Sequence, residues 1–348
     1  MKATMNAIVK TKPGPGAEIC EVAEPEITRP DQIKVRVRAT SICGTDYHIY
    51  SWDRWSANRV QTPRIMGHEF AGEIVAVGAQ VEHLHEGDYV SGESHWVCGH
   101  CQQCLMNERH VCANTRILGV DVDGCFAPYV VVPAASAWKN DRSVPPEFAC
   151  IQDPLGNAVH ATLSGEVIGR TVAVLGCGPI GIFAVAVAKA AGASVIYATD
   201  TRTYRLDLAT KLGADHVVNV TEADAEKEIL DHTRGQGVDV VLEMSGAPSA
   251  IRQAMRICRR GGRVSLMGIP AQPVELDMAE DMIFKGLTIH CIVGRRLYET
   301  WETMRSLLSS GRLDIAPAIT HRLPFEQFEH GMELMRDGAC GKVVFLMP

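Results

Sequence analysis

Thr171-Val172-Ala173-Val174-Leu175-Gly176-Cys177-Gly178-Pro179-Ile180-Gly181 is an apolar run that ends in G-x-G-x-x-G. The hexapeptide alone is a weak signal, and its setting gives it weight. The run before it reads as a strand, and the Ala-rich segment after it reads as a helix reaching Ala191. A second strand is expected over 194–199, and an acid, Asp200, falls nineteen residues beyond the last glycine. Gly176 permits the tight turn, Gly178 lets a pyrophosphate approach the backbone, and Gly181 lets helix and strand pack closely. The amides at the helix start then face the phosphate charge. Asp200 is expected to accept hydrogen bonds from the adenosine ribose hydroxyls and to repel a 2′-phosphate, which favours NAD over NADP. Arg202 and Arg205 temper that preference, because a nearby arginine can hold the extra phosphate. The alternative is a Gly-rich βα turn that holds no ligand.

Outward from this turn, strands are expected at 215–220, Val238–Glu243, 263–268 and 287–293, with helices at 205–212, 223–233 and 248–259. Such alternation implies a parallel sheet covered on both faces. The expected cofactor set is Gly176, Gly178, Ile180, Gly181, Asp200, Arg205, Met267, Gly268, Ile269, Ile292 and Val293. Up to about Asp153 the pattern is different: short alternating apolar runs (33–39, 70–77, 126–132) between Gly, Pro and Asp turns, as in a β-rich, barrel-like lobe. The tail from Tyr298 adds a helix pair and a terminal apolar strand, 342–347, able to return to the first lobe.

Cys98, Cys101, Cys104 and Cys112 form C-x2-C-x2-C-x7-C within fifteen residues. Four thiolates at that spacing close a tetrahedron around Zn²⁺. Iron–sulfur ligation, disulfides and buried thiols are the alternatives. Disulfides require an oxidising compartment, and residues 1–16 lack the apolar core of a signal peptide. A closed site of this kind is structural, so the chemistry lies elsewhere. The seven scattered cysteines (Cys20, Cys125, Cys150, Cys177, Cys258, Cys291, Cys340) read as buried apolar fillers. With 348 residues, 46% of them hydrophobic, the chain can bury two cores. A net charge of −7 argues against a nucleic-acid or anionic-membrane surface. The most apolar stretch, 180–193, is interrupted by Lys189 and too short to span a bilayer. A soluble, cytoplasmic protein is expected.

A second constellation lies in the first lobe: Cys43-Gly44-Thr45-Asp46-Tyr47-His48 and Gly67-His68-Glu69. Cysteine, histidine and carboxylate together suit a zinc centre that keeps an exchangeable position. Separately, Cys43 reads equally as a core thiol, and His68 and Glu69 as a hydrogen-bonded turn.

With these motifs in this order, the chain resembles the zinc-dependent medium-chain alcohol dehydrogenases over essentially its whole length. The likeness is strongest to members that act on L-threonine. It is carried by residues 46–55, by Asp153-Pro154-Leu155-Gly156-Asn157-Ala158-Val159-His160, by Glu243-Met244-Ser245-Gly246-Ala247-Pro248, by Gly294-Arg295-Arg296 and by Glu299-Thr300-Trp301. The resemblance implies an α/β chain: a GroES-like β-barrel catalytic domain, 1–155 with 295–348, and a Rossmann doubly wound parallel-sheet domain, 156–294. It implies two Zn²⁺ per subunit, one catalytic on Cys43, His68 and Glu69 and one structural on the four cysteines. It further implies NAD as cofactor, a homotetramer, and oxidation of the 3-hydroxyl of L-threonine to 2-amino-3-ketobutyrate.

Asp153 would stand beside the catalytic metal as ligand or outer-sphere partner. Relatives often carry Glu there, and Asp before Pro is also an ordinary helix cap. Thr45 and His48 suit a proton relay away from the substrate hydroxyl. Residues 48–55 offer Asp53, Arg54, Tyr50, Trp52 and Trp55 for a substrate that carries both an ammonium and a carboxylate; the alternative is an aromatic plug with Asp53 and Arg54 paired to each other in solvent. A polyol dehydrogenase of the sorbitol or butanediol type is the nearest rival. A zinc-free NAD(P)-binding reductase or regulator is a more distant one.

Overall fold

The computed structural model describes residues 3–347. Two compact units emerge: residues up to Pro154 together with those from Ile319 onward, and Leu155–Ala318.

The second unit holds six strands, in the spatial order His216–Asn219, Val195–Asp200, Thr171–Leu175, Val238–Glu243, Cys258–Leu266, Thr288–Cys291. Every neighbouring pair is parallel. The central strand is apolar on both faces, as a doubly covered sheet requires: Val172, Ala173, Val174 and Leu175 are fully buried. The chain enters at Thr171–Leu175, builds to one edge, then crosses back to Val238–Glu243 and builds to the other. The winding reverses between those two strands, which is where ligands bind at the carboxyl ends of such sheets. Helix Pro179–Ala190 begins with Gly178 at its cap and Pro179 in the first turn, and it buries Ile182 through Ala188. One boundary moves. The strand expected at 263–268 runs from Cys258 to Leu266 through a register break: Val238 stands opposite Cys258 and Val240 opposite Arg263, so Gly261, at φ +68, and Gly262, where a Cβ would meet Cys258 Sγ at 2.5 Å, lie in a bulge.

The first unit is built on strand Gln32–Ser41, which pairs antiparallel with Glu69–Val77, Tyr129–Pro133 and the terminal strand Lys342–Leu346. Its core includes Ile33, Val35, Val37, Ile74, Phe126 and Phe345. The terminal strand thus returns to the first lobe. Residues 295–318, assigned from sequence to the catalytic domain, cluster instead with the parallel-sheet unit. The reason is burial: helix Glu299–Ser309 buries Trp301 and Met304, and the buried Arg295 donates to Asn157 Oδ1 at 2.9 Å.

Candidate active site and metal centres

Cys101 Sγ lies 3.7 Å from Cys112 Sγ, which is 3.6 Å from Cys98 Sγ. All four cysteine sulfurs, Cys104 included, fall within 4.8 Å of one another. Zn–S bonds of ~2.3 Å at tetrahedral angles put sulfurs about 3.8 Å apart, so the cage has the size of a four-thiolate zinc site and not of a disulfide. The loop also aims donors at the sulfurs. Cys101 N and Asn114 Nδ2 reach Cys98 Sγ at 3.4 and 3.5 Å, and Asn114 N and Cys98 N reach Cys112 Sγ at 3.4 Å. The bond from Asn114, with those from the backbone of His100 and Cys101, brings the Cys98 thiol down to about 5, whereas burial pushes Cys104 up to about 12. A cation would complete the set.

The open cluster forms where three strands of the first unit converge. Ser41, the last residue of its strand, stands opposite both Glu69 and Val344. Cys43 then caps helix Gly44–Ser51, and His68 precedes Glu69. One ligand atom each from Cys43, His68 and Glu69 lies within 4.8 Å of the other two. Glu69 is fully buried. Its Oε2 accepts from Ser41 Oγ and pairs with Lys342 Nζ at 2.5 Å, while Oε1 has no hydrogen-bond partner. A carboxylate held by one oxygen, with the other buried beside a thiol and an imidazole, fits a metal ligand. His68 Nδ1 lies 3.4 Å from Asp46 Oδ1, whose other oxygen accepts from Cys43 N at 2.9 Å. Neither atom makes a hydrogen bond at that separation, so Asp46 acts on His68 as a nearby buried charge. Burial pushes His68 down, but the charges of Asp46 and Cys43 outweigh it and hold the group well above its usual value. The pocket draws positive charge.

Lys342 and Asp46 are the two residues here that the sequence reading passed over. Lys342 is fully buried, and it donates to the Ile42 carbonyl at 2.7 Å as well as to Glu69. Burial acts to lower it, yet Glu69 and Cys43 raise it above the ordinary lysine value, so its charge persists.

Of the remaining candidates, Thr45 Oγ1 lies 3.9 Å from Cys43 Sγ. His48, on the same helix, pairs its Nδ1 with Asp53 Oδ2 at 2.7 Å. Asp53 also caps helix Arg54–Arg59 through Ser56, so it is already committed and is not a free anion for a substrate ammonium. Trp52 lies over Lys10 Nζ at 4.9 Å. Asp153 is buried and accepts from Ser94 N at 3.1 Å, outside the three-residue metal cluster. It sits within the first turn of helix Gln152–Thr162, not at the cap before it.

In the parallel-sheet unit, Gly176 takes φ +94, and a side chain there would meet Ser245 at 2.7 Å. A Cβ at Gly181 would stand 1.9 Å from the Gly176 carbonyl oxygen, the close helix–strand approach this turn needs. Asp200 ends its strand with Oδ2 accepting from Cys177 N at 2.8 Å and Oδ1 from Arg202 N at 2.9 Å. Arg205 Nη1 is 3.9 Å from Asp200, and its buried Nε has no hydrogen-bond partner. Met267, Gly268 and Ile269 follow Cys258–Leu266, and Ile292 and Val293 follow Thr288–Cys291. They therefore share the carboxyl edge of the sheet with Gly176, Gly178, Ile180 and Asp200, where a dinucleotide binds. Ile269 is 90% exposed at that edge. Glu243, which sequence reading used only for resemblance, is buried there and accepts from Ser245 N and Gly246 N at 2.9 and 3.0 Å.

A glycine turn for a dinucleotide and an open Cys-His-Glu cluster are the equipment of a metal-assisted nicotinamide dehydrogenase. Comparison with known proteins agrees. Residues 29–143 match the alcohol dehydrogenase GroES-like domain, and residues 179–310 match the zinc-binding dehydrogenase domain. The chain is 52% identical to L-threonine 3-dehydrogenase of Bacillus licheniformis, over 99% of this chain and 100% of the relative. It is 50% identical to that of Pyrococcus horikoshii over 100% of both. Among solved structures, the alcohol dehydrogenase of Thermus sp. ATN1 superposes with a TM-score of 0.91 at 31% identity, covering 99% of this chain and 100% of that one. An E. coli CFT073 alcohol dehydrogenase complexed with NADH gives 0.90 at 29%, covering 99% of each. The chain belongs to the zinc-dependent medium-chain alcohol dehydrogenase family. It is an NAD-dependent zinc oxidoreductase with one four-cysteine site and one open site.

Proposed function

We propose that the protein oxidises the 3-hydroxyl of L-threonine with NAD⁺, yielding 2-amino-3-ketobutyrate, NADH and a proton. The observation that carries this reading is the full-length identity of about half to L-threonine 3-dehydrogenases, combined with an intact Cys43, His68, Glu69 cluster. Zinc supplies a Lewis acid that lowers the pKa of an alcohol hydroxyl, and NAD⁺ supplies the hydride acceptor. Cys43, His68 and Glu69 would hold the catalytic ion, with the buried charge of Asp46 beside His68 and Lys342 anchoring Glu69. Asp153 would act as an outer-sphere partner, since its Oδ2 is engaged by the Ser94 amide. Thr45 and His48 would form a relay for the hydroxyl proton, with the exposed His48 imidazole delivering it to water. Gly176 and Gly178 would let the pyrophosphate approach the turn, Gly181 would keep helix and strand close, and Asp200 would bind the adenosine ribose while its charge selects against a 2′-phosphate.

The amino-acid substrate needs partners for its two charges, and Arg54, in the segment after Cys43, is the cation we assign to the carboxylate. A polyol substrate would need only neutral hydrogen-bonding groups. NADH formation with L-threonine, sorbitol and 2,3-butanediol in parallel tests the reading: L-threonine is expected to be turned over fastest, and a higher kcat/KM for sorbitol would transfer the assignment to the polyol class.

The working form is read as a homotetramer in the cytoplasm. The edge strand Thr288–Cys291 and the exposed Met278, Ile283 and Phe284 support self-association. Among the described residues the twelve cysteines form no disulfide. No helix among the described residues is long and apolar enough to cross a membrane. A mass measured by light scattering checks the oligomer.

A further inference from the structure

We infer that Asp53 is a positioning residue for the proposed relay: it fixes the tautomer of His48, holding the ring proton on Nδ1 and leaving Nε2 as the nitrogen that accepts. The inference rests on the relay reading. Helix Gly44–Ser51 stops at Trp52, a non-glycine residue in the left-handed region at φ 59, and the reversal brings Asp53 back onto the helix's own last turn. The same reversal fastens the backbone of His48. Its carbonyl accepts from Trp52 N at 2.9 Å and from Ser56 Oγ at 2.6 Å. The ring in turn meets Asp53 Oδ2 at 2.7 Å and the edge of Trp55, centroids 6.3 Å apart.

The division of labour within Asp53 carries the argument. Oδ1 accepts from Ser56 N at 2.9 Å and Ser56 Oγ at 2.7 Å, which is the helix cap. Oδ2 faces His48 Nδ1. A cap needs one oxygen, and Asn, Ser or Thr would serve equally. What only a carboxylate adds is a second acceptor. Two acceptors facing one imidazole nitrogen and one helix end leave Nδ1 no role but donor, and Nε2 no role but acceptor. An asparagine here would spend its oxygen on Ser56 and turn its NH₂ toward His48. That NH₂ donates, so Nδ1 must accept and the proton moves to Nε2. The tautomer inverts while the cap survives. In a buried triad such an inversion costs about 10⁴ in kcat. His48 is more than half exposed and exchanges its proton with water, so a smaller loss, about 10- to 100-fold, is expected here.

The experiment compares Asp53→Asn, Asp53→Ser and His48→Asn. Nitrogen-15 spectra of histidine-labelled protein report which ring nitrogen of His48 carries the proton, and steady-state rates with L-threonine and NAD⁺ report the relay. The wild type should show the Nδ1–H form. Asp53→Asn should show the Nε2–H form and the larger fall in kcat, with NAD⁺ affinity, zinc content and melting temperature near wild type. Asp53→Ser, which caps but cannot reach the ring, should give a tautomer mixture and a fall of only a few-fold. A purely structural Asp53 predicts the reverse order, because Asn is the closer isostere. Nδ1–H retained in Asp53→Asn overturns the inference, as do wild-type rates in both Asp53 variants alongside an impaired His48→Asn, which leaves the relay standing. An inverted tautomer with unchanged rates in Asp53→Asn and His48→Asn refutes the relay, and the role of Asp53 falls with it.

Discussion

Replacing Lys342 by Met removes the one cation paired with a fully buried Glu69 and puts a thioether of similar length in its place. The lysine nitrogen is 2.5 Å from the carboxylate and has no accessible surface to solvent, so little screening reduces the pair. Breaking such a pair from one side costs about 3–5 kcal/mol, because the remaining charge stays buried without compensation. In a unit of this size that moves the unfolding midpoint by roughly 6–20 °C. The orphaned Oε1 adds a condition. If a metal ion binds Cys43, His68 and Glu69, it supplies part of the missing positive charge, so the penalty must be larger in enzyme stripped of its catalytic ion than in loaded enzyme. Calorimetry or urea unfolding of wild type and Lys342→Met would measure both differences, before and after a chelator treatment that removes about one zinc per chain. Lys342→Met/Glu69→Gln should recover much of the loss, since the uncompensated charge is then gone. Equal penalties with and without the ion, or no recovery in the double variant, would refute the reasoning that Lys342 exists to hold Glu69.

Cys43→Ser should abolish turnover while about one zinc per chain remains, and Cys101→Ser should lower stability, because binding energy at a closed site is folding energy; metal analysis and thermal melts separate the two. Asp200→Ser should weaken NAD⁺ and improve NADP⁺ binding, with Arg202 and Arg205 free to take the phosphate, as fluorescence titration with each cofactor would read. Gly181→Ala places a methyl 1.9 Å from the Gly176 carbonyl oxygen, so either the turn or the helix must shift, and a loss of NAD⁺ affinity larger than the loss of stability is expected in a binding isotherm.

The legible parts of this protein are those whose cause is local. Thr171–Leu175 and Val238–Glu243 are read from the sequence to the residue, because an apolar run closed by a glycine turn, or by Glu243 and Ser245, announces its own ends. The candidate ligands are readable for the same reason: chemical type and spacing survive in one dimension. Lys342 is not. It opens an apolar terminal strand, where a lysine reads as a solvated end, and only the pairing of that strand with Gln32–Ser41 buries it against a glutamate far away in the chain. Asp53 is misread for a related reason. As a sequence, Trp52-Asp53-Arg54-Trp55 offers loose charges, and nothing signals that a tryptophan takes the left-handed conformation and folds the aspartate back onto His48. Residues 295–318 change unit because burial of Trp301, and not any linker composition, decides where they pack.

Formal charge at the open cluster leads to the same metal without reference to any relative. As ligands of a metal ion Cys43 would bind as thiolate and Glu69 as carboxylate, which with the carboxylate of Asp46 makes three negative charges against the one positive charge of Lys342. Asp46, Glu69 and Lys342 are fully buried, and His68 is nearly so. Two unbalanced negative charges in such a place are expensive, and the charges of Asp46 and Cys43 hold His68 well above its usual value. A monovalent ion would leave one negative charge, and a trivalent ion would leave one positive. A divalent cation closes the sum to zero while freeing His68 to ligate as neutral imidazole. Sulfur, nitrogen and oxygen donors in one set then favour zinc over magnesium or calcium, which take oxygen alone. Lys342 is the term that makes this arithmetic work: without it the same ligands around the same ion would carry a net charge of −1, and the ion would be a weaker Lewis acid toward the hydroxyl it activates.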